Sequence, residues 1–362
     1  MKGEEVLARA VKIVEDELAR IFGDMRAEAS SVDPRLAELV DVVQDFTLRG
    51  GKRLRAALAL AGYWGKGWGR GDAARVAKLM AGIELLQSYL LVHDDIMDKD
   101  EVRRGGPTVH VSFRESCRKA GIAADCAHYG ISQAITAGDY LESAAVFNVA
   151  LSCADATRIP KIIEDYARGL RLVAYGQFLD VRLSGARLSE VTEEDVLMVH
   201  RLKTSSYTVE LPLRLGARAS GTFSDDEVEA LSGYAIPAGI AFQLRDDIIG
   251  LYGDPSVTGK PAGNDVRERK KTLLVVKAYE LGGDEVRRML DDIYGSQRPV
   301  LDSEVEGVRM AVKESGSLSY NLELIEALVE EARGELEQMS WLDPEAAGFL
   351  EWLLKALAYR ER

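Results

Sequence analysis

The chain has 362 residues and carries 59 acidic against 46 basic side chains, a formal net charge of −13. That balance speaks against a nucleic-acid footprint, which needs lysine and arginine in excess on one face, though a local basic cluster can still hold an anionic substrate. Apolar residues make up 47% of the chain, enough for a sizeable core, and no run approaches the roughly 18 apolar residues of a membrane span.

The opening stretch interleaves charges with Val6, Ala10, Val14, Leu18 and Ile21. That is helical spacing, so it reads as an amphipathic helix and not as a secretory leader. Asp33-Pro34 and Asp343-Pro344 each offer an N-cap followed by proline at the first helical position. Ser224 with Glu227, and Ser303 with Glu306, have capping-box spacing. Breaks are expected near residues 65–71, 103–107, 183–190, 221–224 and 253–263. The longest apolar window, Tyr234 to Leu244, is interrupted by Pro237. Apolar stripes at helical spacing recur as far as Leu350, Leu353, Leu354 and Leu357, while strand-like alternation is confined to the short run Val109-His110-Val111-Ser112. No Pro/Ser-rich linker divides the chain, so the expected fold is all-α, a single helical domain over residues 1–362. Cys117, Cys126 and Cys153 are an odd, sparse set with no C-x-x-C spacing. They are expected to be reduced thiols of a cytoplasmic protein.

Two acidic pairs stand out. Asp94 and Asp98 lie four apart, so they project from one face of a helix whose preceding run is apolar, with Asp95 between them. Carboxylates at the end of a buried helix suit hard cations, above all Mg²⁺. Asp246 and Asp247 end a second apolar helix, with Gln243 on the face of Asp247. Neither site has the alternating loop of a calcium-binding EF-hand, and few His or Cys lie nearby, which leaves zinc without ligands. If the two helices face each other, they line one cavity with opposed carboxylates.

Basic elements accompany them. Gly50-Gly51-Lys52-Arg53-Leu54-Arg55 places three cations at a helix start, where backbone N–H groups and a forked guanidinium suit phosphate. Arg103-Arg104 follows the first acidic box, Lys203-Thr204 sits mid-chain, and Gly259-Lys260-Pro261 and Lys270-Lys271-Thr272 follow the second pair. Taken singly, each reads as a solvated charge run, and no Walker-type loop is present. Together, two magnesium-type acidic sites and these basic elements describe a cavity for two diphosphates.

In this order the motifs resemble those of the trans-type isoprenyl diphosphate synthases, the polyprenyl synthetases. The likeness runs from Gly50 to about Lys277 and includes Gly138-Asp139-Tyr140-Leu141 and Gly176-Gln177 with Asp180. The resemblance implies a helical bundle around a central cavity and a magnesium-dependent homodimer in the cytoplasm. It implies that Lys52, Arg55, Gln87 and Arg104 bind isopentenyl diphosphate. Asp94, Asp98 and Asp246 would hold Mg²⁺ with Asp95 and Asp247 in support. Arg103, Lys203 and Lys260 would hold the allylic diphosphate (dimethylallyl, geranyl or farnesyl) with Lys270 nearby, and Thr204 and Gln243 would face the allylic cation. It makes Tyr89, five residues before Asp94, a chain-length determinant with Leu90 behind it, although on an ideal wheel Leu90 and Gln87 share the face of Asp94 and Tyr89 points away. One aromatic there resembles synthases of the C20 product, geranylgeranyl diphosphate; C15 and C25 products are the alternatives. The sequence departs from the family pattern at Gln87, often histidine, at Ala56, often proline, and at Gly250, often the last Asp of the second box.

Two rival readings remain. A terpene cyclase or head-to-head condensing enzyme shares the acidic boxes but has less need of Lys52, Arg55 and Arg104. A silent partner subunit of an active synthase would be expected to lose aspartates, and here all five are present.

Overall fold

The computed structural model describes residues 3–70, 73–153, 155–253 and 263–358. They are almost wholly helical, as the 3.6-residue spacing predicts. By contact the chain falls into two compact units, Met1–Tyr166 with Pro212–Phe223, and Ala167–Leu211 with Ser224–Arg362.

In the first unit α1 (Gly3–Val32) buries the predicted stripe of Val6, Ala10, Val14, Leu18 and Ile21. Asp33 caps the short turn Pro34–Leu36, its carboxylate accepting from Arg35 N, and leads into α2 (Ala37–Leu48). Then come α3 (Leu54–Trp64) and α4 (Ala73–Met97), which carries the first acidic box at its end. A two-stranded turn follows, pairing Val102 with Pro107 and Arg103 with Gly106. The run Val109–Ser112 opens α5 (Val109–Ala120), and α6 (Cys126–Leu151) lies along α4. Gly82 meets Ala145 and Val149 at one end of that contact and Gly138 meets His93 at the other, so the two helices run antiparallel.

The second unit takes up the later part of α7 (Ile159–Ser184), then α8 (Glu193–Val199) and a π-helical segment, His200–Glu210, which continues directly into α9 (Leu211–Ser220), a helix that from Pro212 on belongs to the first unit. Next is α10 (Asp225–Tyr252), opened by the predicted capping box: Ser224 Oγ accepts from Glu227 N, and Glu227 accepts from Ser224 N at 2.7 Å. It packs on the π segment and on a later helix, Ser317–Gln338. Pro237 sits inside α10, where it removes one backbone donor; Ser205 Oγ donates to the adjacent carbonyls of Ala235 and Ile236 at 3.2 and 2.9 Å. After residue 262 follow α11 (Asn264–Arg267), α12 (Leu273–Leu281), α13 (Asp284–Gly295), α14 (Asp302–Glu314), α15 (Ser317–Gln338) and α16 (Pro344–Ala358). Tyr234, wholly buried, ties α10 to α16 by donating to the Leu350 carbonyl at 2.9 Å. Among the described residues no helix is long and apolar enough to cross a membrane.

Two expectations are corrected. Cys117 and Cys126 form a disulfide: the turn at Gly121 closes α5 back onto α6 and brings their Cα atoms to 5.6 Å, inside the bridging window of about 4.4–6.8 Å. Only Cys153 remains a buried thiol among the described residues. The second predicted capping box falls elsewhere too. The cap forms between Glu304 and Leu301 N (2.8 Å), not between Ser303 and Glu306, because Arg298 holds the Glu304 carboxylate in place.

Candidate active site

In the first unit the site is built on the C-terminal end of α4. Asp98 N donates to the Asp94 carbonyl at 2.8 Å, so helical spacing persists one residue past Met97 and both carboxylates stay on one face. Asp95 is fully buried. Arg103, on the turn behind the box, donates from Nε to Asp95 Oδ1 at 2.5 Å and lies 3.2 Å from Asp100 and 3.8 Å from Asp94. Burial pushes the Asp95 carboxyl up to about 7 even against the opposing pull of Arg103. One arginine therefore faces several carboxylates, and Asp95 Oδ2 is buried with no hydrogen-bond partner.

Arg103 was expected to grip diphosphate, and here it serves the acidic box first. The basic loop also divides its labour. Because α3 begins only at Leu54, Lys52 lies exposed in the loop before it, Arg55 is half-buried on the helix, and Arg53 turns inward with 1% of its side chain exposed. Arg104, exposed overall, lays its guanidinium over Gly51. Gln87, 7% exposed, is buried on α4.

Deeper along α4, Tyr89 meets His93 edge-on at 4.9 Å between ring centroids, and His93 Nε2 lies 3.3 Å from the Ile135 carbonyl of α6. Tyr89 therefore stands beside His93, whose ring reaches α6. Burial, with Glu142 and Asp139 adding to it, raises the Tyr89 hydroxyl above its ordinary value. Glu142 also accepts from Tyr166 Oη at 3.4 Å, which sequence spacing did not reveal.

In the second unit the π segment presents the mid-chain pair. Lys203 Nζ donates to Asp180 Oδ2 at 2.6 Å. Thr204 Oγ1 donates to Gln243 Oε1 at 3.0 Å, and Gln243 Nε2 donates to Asp247 Oδ1 at 2.9 Å. The other oxygen of Asp247, itself 7% exposed, lies 3.4 Å from His200 Nε2. His200 escaped the sequence reading because its partner, Asp247, lies 47 residues further along the chain. Asp246, beside this chain, is half-buried. Lys270 pairs with Glu268 at 3.1 Å, while its neighbour Lys271 is buried and donates to the Ser184 carbonyl at 2.7 Å. Lys260 lies outside the described residues.

Each of the two acidic groups, taken by itself, suits a divalent cation. Asp95 and Asp247 each keep one buried oxygen without a hydrogen bond, and buried acceptors of that kind call for a cation. Among the described residues no three His, Cys, Asp or Glu side chains form a ready-made cage.

The missing aspartate at position 250 also has a structural reason. A Cβ added to Gly250 would lie 2.6 Å from Asp265 Oδ2. The carboxylate of Asp265, on α11, already stands one turn beyond Asp246, on the same face of α10. Gly250→Asp is therefore expected to lower activity and to cost about 0.5 kcal/mol by like-charge repulsion, since the Asp265 carboxylate can turn away from the added Cβ. A thermal melt and a turnover assay check this, and a gain in either would refute it.

The polyprenyl synthetase family model matches residues 37–313. The chain is 37% identical to the geranylfarnesyl diphosphate synthase of Aeropyrum pernix over 318 residues, which cover 86% of this chain and 91% of that protein. It is 33% identical to the geranylgeranyl diphosphate synthase of Saccharolobus solfataricus over 278 residues, 75% of this chain and 76% of that one. Among solved structures, the geranylgeranyl pyrophosphate synthase of Corynebacterium glutamicum, complexed with isoprenyl diphosphate and magnesium, superposes with a TM-score of 0.90 at 30% identity, covering 98% of this chain and 99% of that chain.

Proposed function

The chain belongs to the polyprenyl synthetase family, and we propose that it joins isopentenyl diphosphate head to tail with an allylic diphosphate, in the presence of Mg²⁺, and stops at geranylgeranyl diphosphate. It is a trans-prenyltransferase of the short-chain kind. The observation that carries the reading is the end of α4: the carboxylates of Asp94, Asp95 and Asp98, one fully buried, set against one arginine.

Asp94, Asp98 and Asp246 would hold Mg²⁺, with Asp95 and Asp247 behind them. When bound, the metal supplies charge that stabilises the departing diphosphate. The rest is the work of side chains. Lys52, Arg55, Gln87 and Arg104 bind the isopentenyl diphosphate, and Arg103, Lys203, Lys260 and Lys270 serve the allylic diphosphate. Preorganised cations of this kind act most strongly where charge develops on the leaving group. Thr204 spends its proton on Gln243, and Asp247 fixes the Gln243 amide. The lone pairs of Thr204 are thereby left for the allylic cation. The double bond of isopentenyl diphosphate, held close, then attacks, and the proton is lost to the departing diphosphate, so no histidine base is needed.

The family match runs through parts of both compact units, which supports residues 1–362 acting as one functional domain. Exposed Ile131, Ile135, Phe147 and Leu151 on α6 support a homodimer, since a second copy would cover them; sedimentation would read it. The cytoplasm, where such diphosphates are made, is the proposed compartment.

Incubation with labelled isopentenyl diphosphate, each allylic starter and Mg²⁺ tests the reading by product chain length. A C20 product is expected. A C25 product would favour the second reading, which the geranylfarnesyl relative supports. Absence of turnover, or full turnover under a chelator, would overturn the mechanism. Tyr89→Ala is expected to lengthen the product by at least one five-carbon unit. Unchanged product on chromatography would remove Tyr89 from the cavity floor.

A further inference from the structure

The basic loop before α3 rests on a buried ion pair that touches no proposed ligand position. Gly50 and Gly51 take φ values of 83° and 127°, and Arg53 itself sits at 49°. For a residue with a side chain, that left-handed conformation costs about 1–2 kcal/mol, and it persists only where the surroundings over-determine it. Here they do. Arg53 donates from one terminal nitrogen to Glu84 Oε2 at 3.0 Å and from the other to the Thr47 carbonyl at 2.9 Å. The two side chains are 1% and 4% exposed.

Around this pair stand the cations assigned to isopentenyl diphosphate. Arg104 Nη2 lies 3.2 Å from where a Cβ on Gly51 would be. Burial, then repulsion from Arg53 and Arg55, lowers Arg104 below the ordinary arginine value, while Glu84 pulls the other way. Glu84 also lies three residues before Gln87, on the same side of α4. Buried Glu84 is the nearer of two carboxylates on Arg53, the half-exposed Glu15 lying 3.9 Å from Arg53 Nε, and it offsets a group of like charges that would otherwise push one another apart before any diphosphate arrives.

We propose that Glu84, acting through Arg53, is the positioning residue of the isopentenyl diphosphate pocket. It holds the Gly50–Arg53 turn so that Lys52 and Arg55 face the ligand, and it keeps Arg104 close by countercharge. The proposal rests on the ligand reading of Lys52, Arg55 and Arg104 given above. Neither Glu84 nor Arg53 touches substrate.

The test is steady-state kinetics of the full chain with both substrates varied. Glu84→Gln keeps the size and removes the charge. It is expected to raise KM for isopentenyl diphosphate about 10–100-fold, the scale of a misplacement near 1 Å, with KM for the allylic diphosphate within about twofold. Arg53→Lys keeps the charge but cannot reach Glu84 and Thr47 at once, and should show the same split. Loss of one partner leaves a buried charge and threatens folding, so the double variant Arg53→Gln/Glu84→Gln is measured as well. It is expected to recover the melting temperature and to keep the raised KM. Equal rises in both KM values, or recovery of KM along with stability, would overturn the proposal. If Lys52→Ala and Arg55→Ala leave KM for isopentenyl diphosphate unchanged, the fault lies in the ligand reading instead.

Discussion

Asp94→Asn is expected to lower kcat about a thousandfold while the protein stays folded. A loss of that size corresponds to about 4 kcal/mol of barrier, within what a divalent ion contributes to stabilising developing charge. The substitution is nearly isosteric and the side chain is 24% exposed, so no cavity opens. It also removes one of the carboxylates crowded around Arg103, which relieves repulsion toward buried Asp95. The melting temperature should therefore hold within about 2 °C or rise slightly. Turnover within about tenfold of the parent protein would show that the box does not carry the leaving-group charge. A collapse in melting temperature would show that Asp94 is structural.

The elements that could be read from the chain were those whose cause is local. The Ser224–Glu227 capping box, the α1 stripe and the apolar run into Asp94 depend on neighbours within four residues, and all three appear as expected. What escaped depends on partners far along the chain. Arg53 looked like one more cation of the loop, because Glu84 lies 31 residues away. Asp265 could not be matched to Gly250 because the two are fifteen positions apart in the chain. The Cys117–Cys126 bridge followed from the angle between two helices, not from cysteine spacing. The π segment conceals more. One wide turn shifts every later residue relative to α-helical register, so a wheel drawn from α8 does not carry through to Thr204, which bonds Gln243.

That segment also gives the second large expectation, at Gly176. The motif Gly176-Gln177 with Asp180 stood out in the sequence without a physical reason, and the structure supplies one. A Cβ at residue 176 would sit 2.3 Å from Lys203 N, 2.7 Å from its Cα and 2.8 Å from the Leu202 carbonyl carbon. These are backbone atoms, which cannot rotate aside as a side chain would. Gly176→Ala must therefore push the π segment away from α7, and it moves Lys203 relative to Asp180 one turn further along. Overpacking of this kind costs about 1–3 kcal/mol, and displacing the Lys203-Thr204 pair by about 1 Å should cost about a hundredfold in kcat. Gly334→Ala is the control, since it lies within α15 and a Cβ there meets nothing within 4 Å. The same substitution at that site should raise stability by about 0.5–1 kcal/mol and leave kcat alone, because alanine loses less backbone freedom on folding than glycine. The two variants thus differ in the sign of the stability change, which parallel thermal melts resolve. A Gly176→Ala protein that melts and turns over like its parent would mean that the close approach of α7 to the π segment is not what holds Lys203 and Thr204 in place.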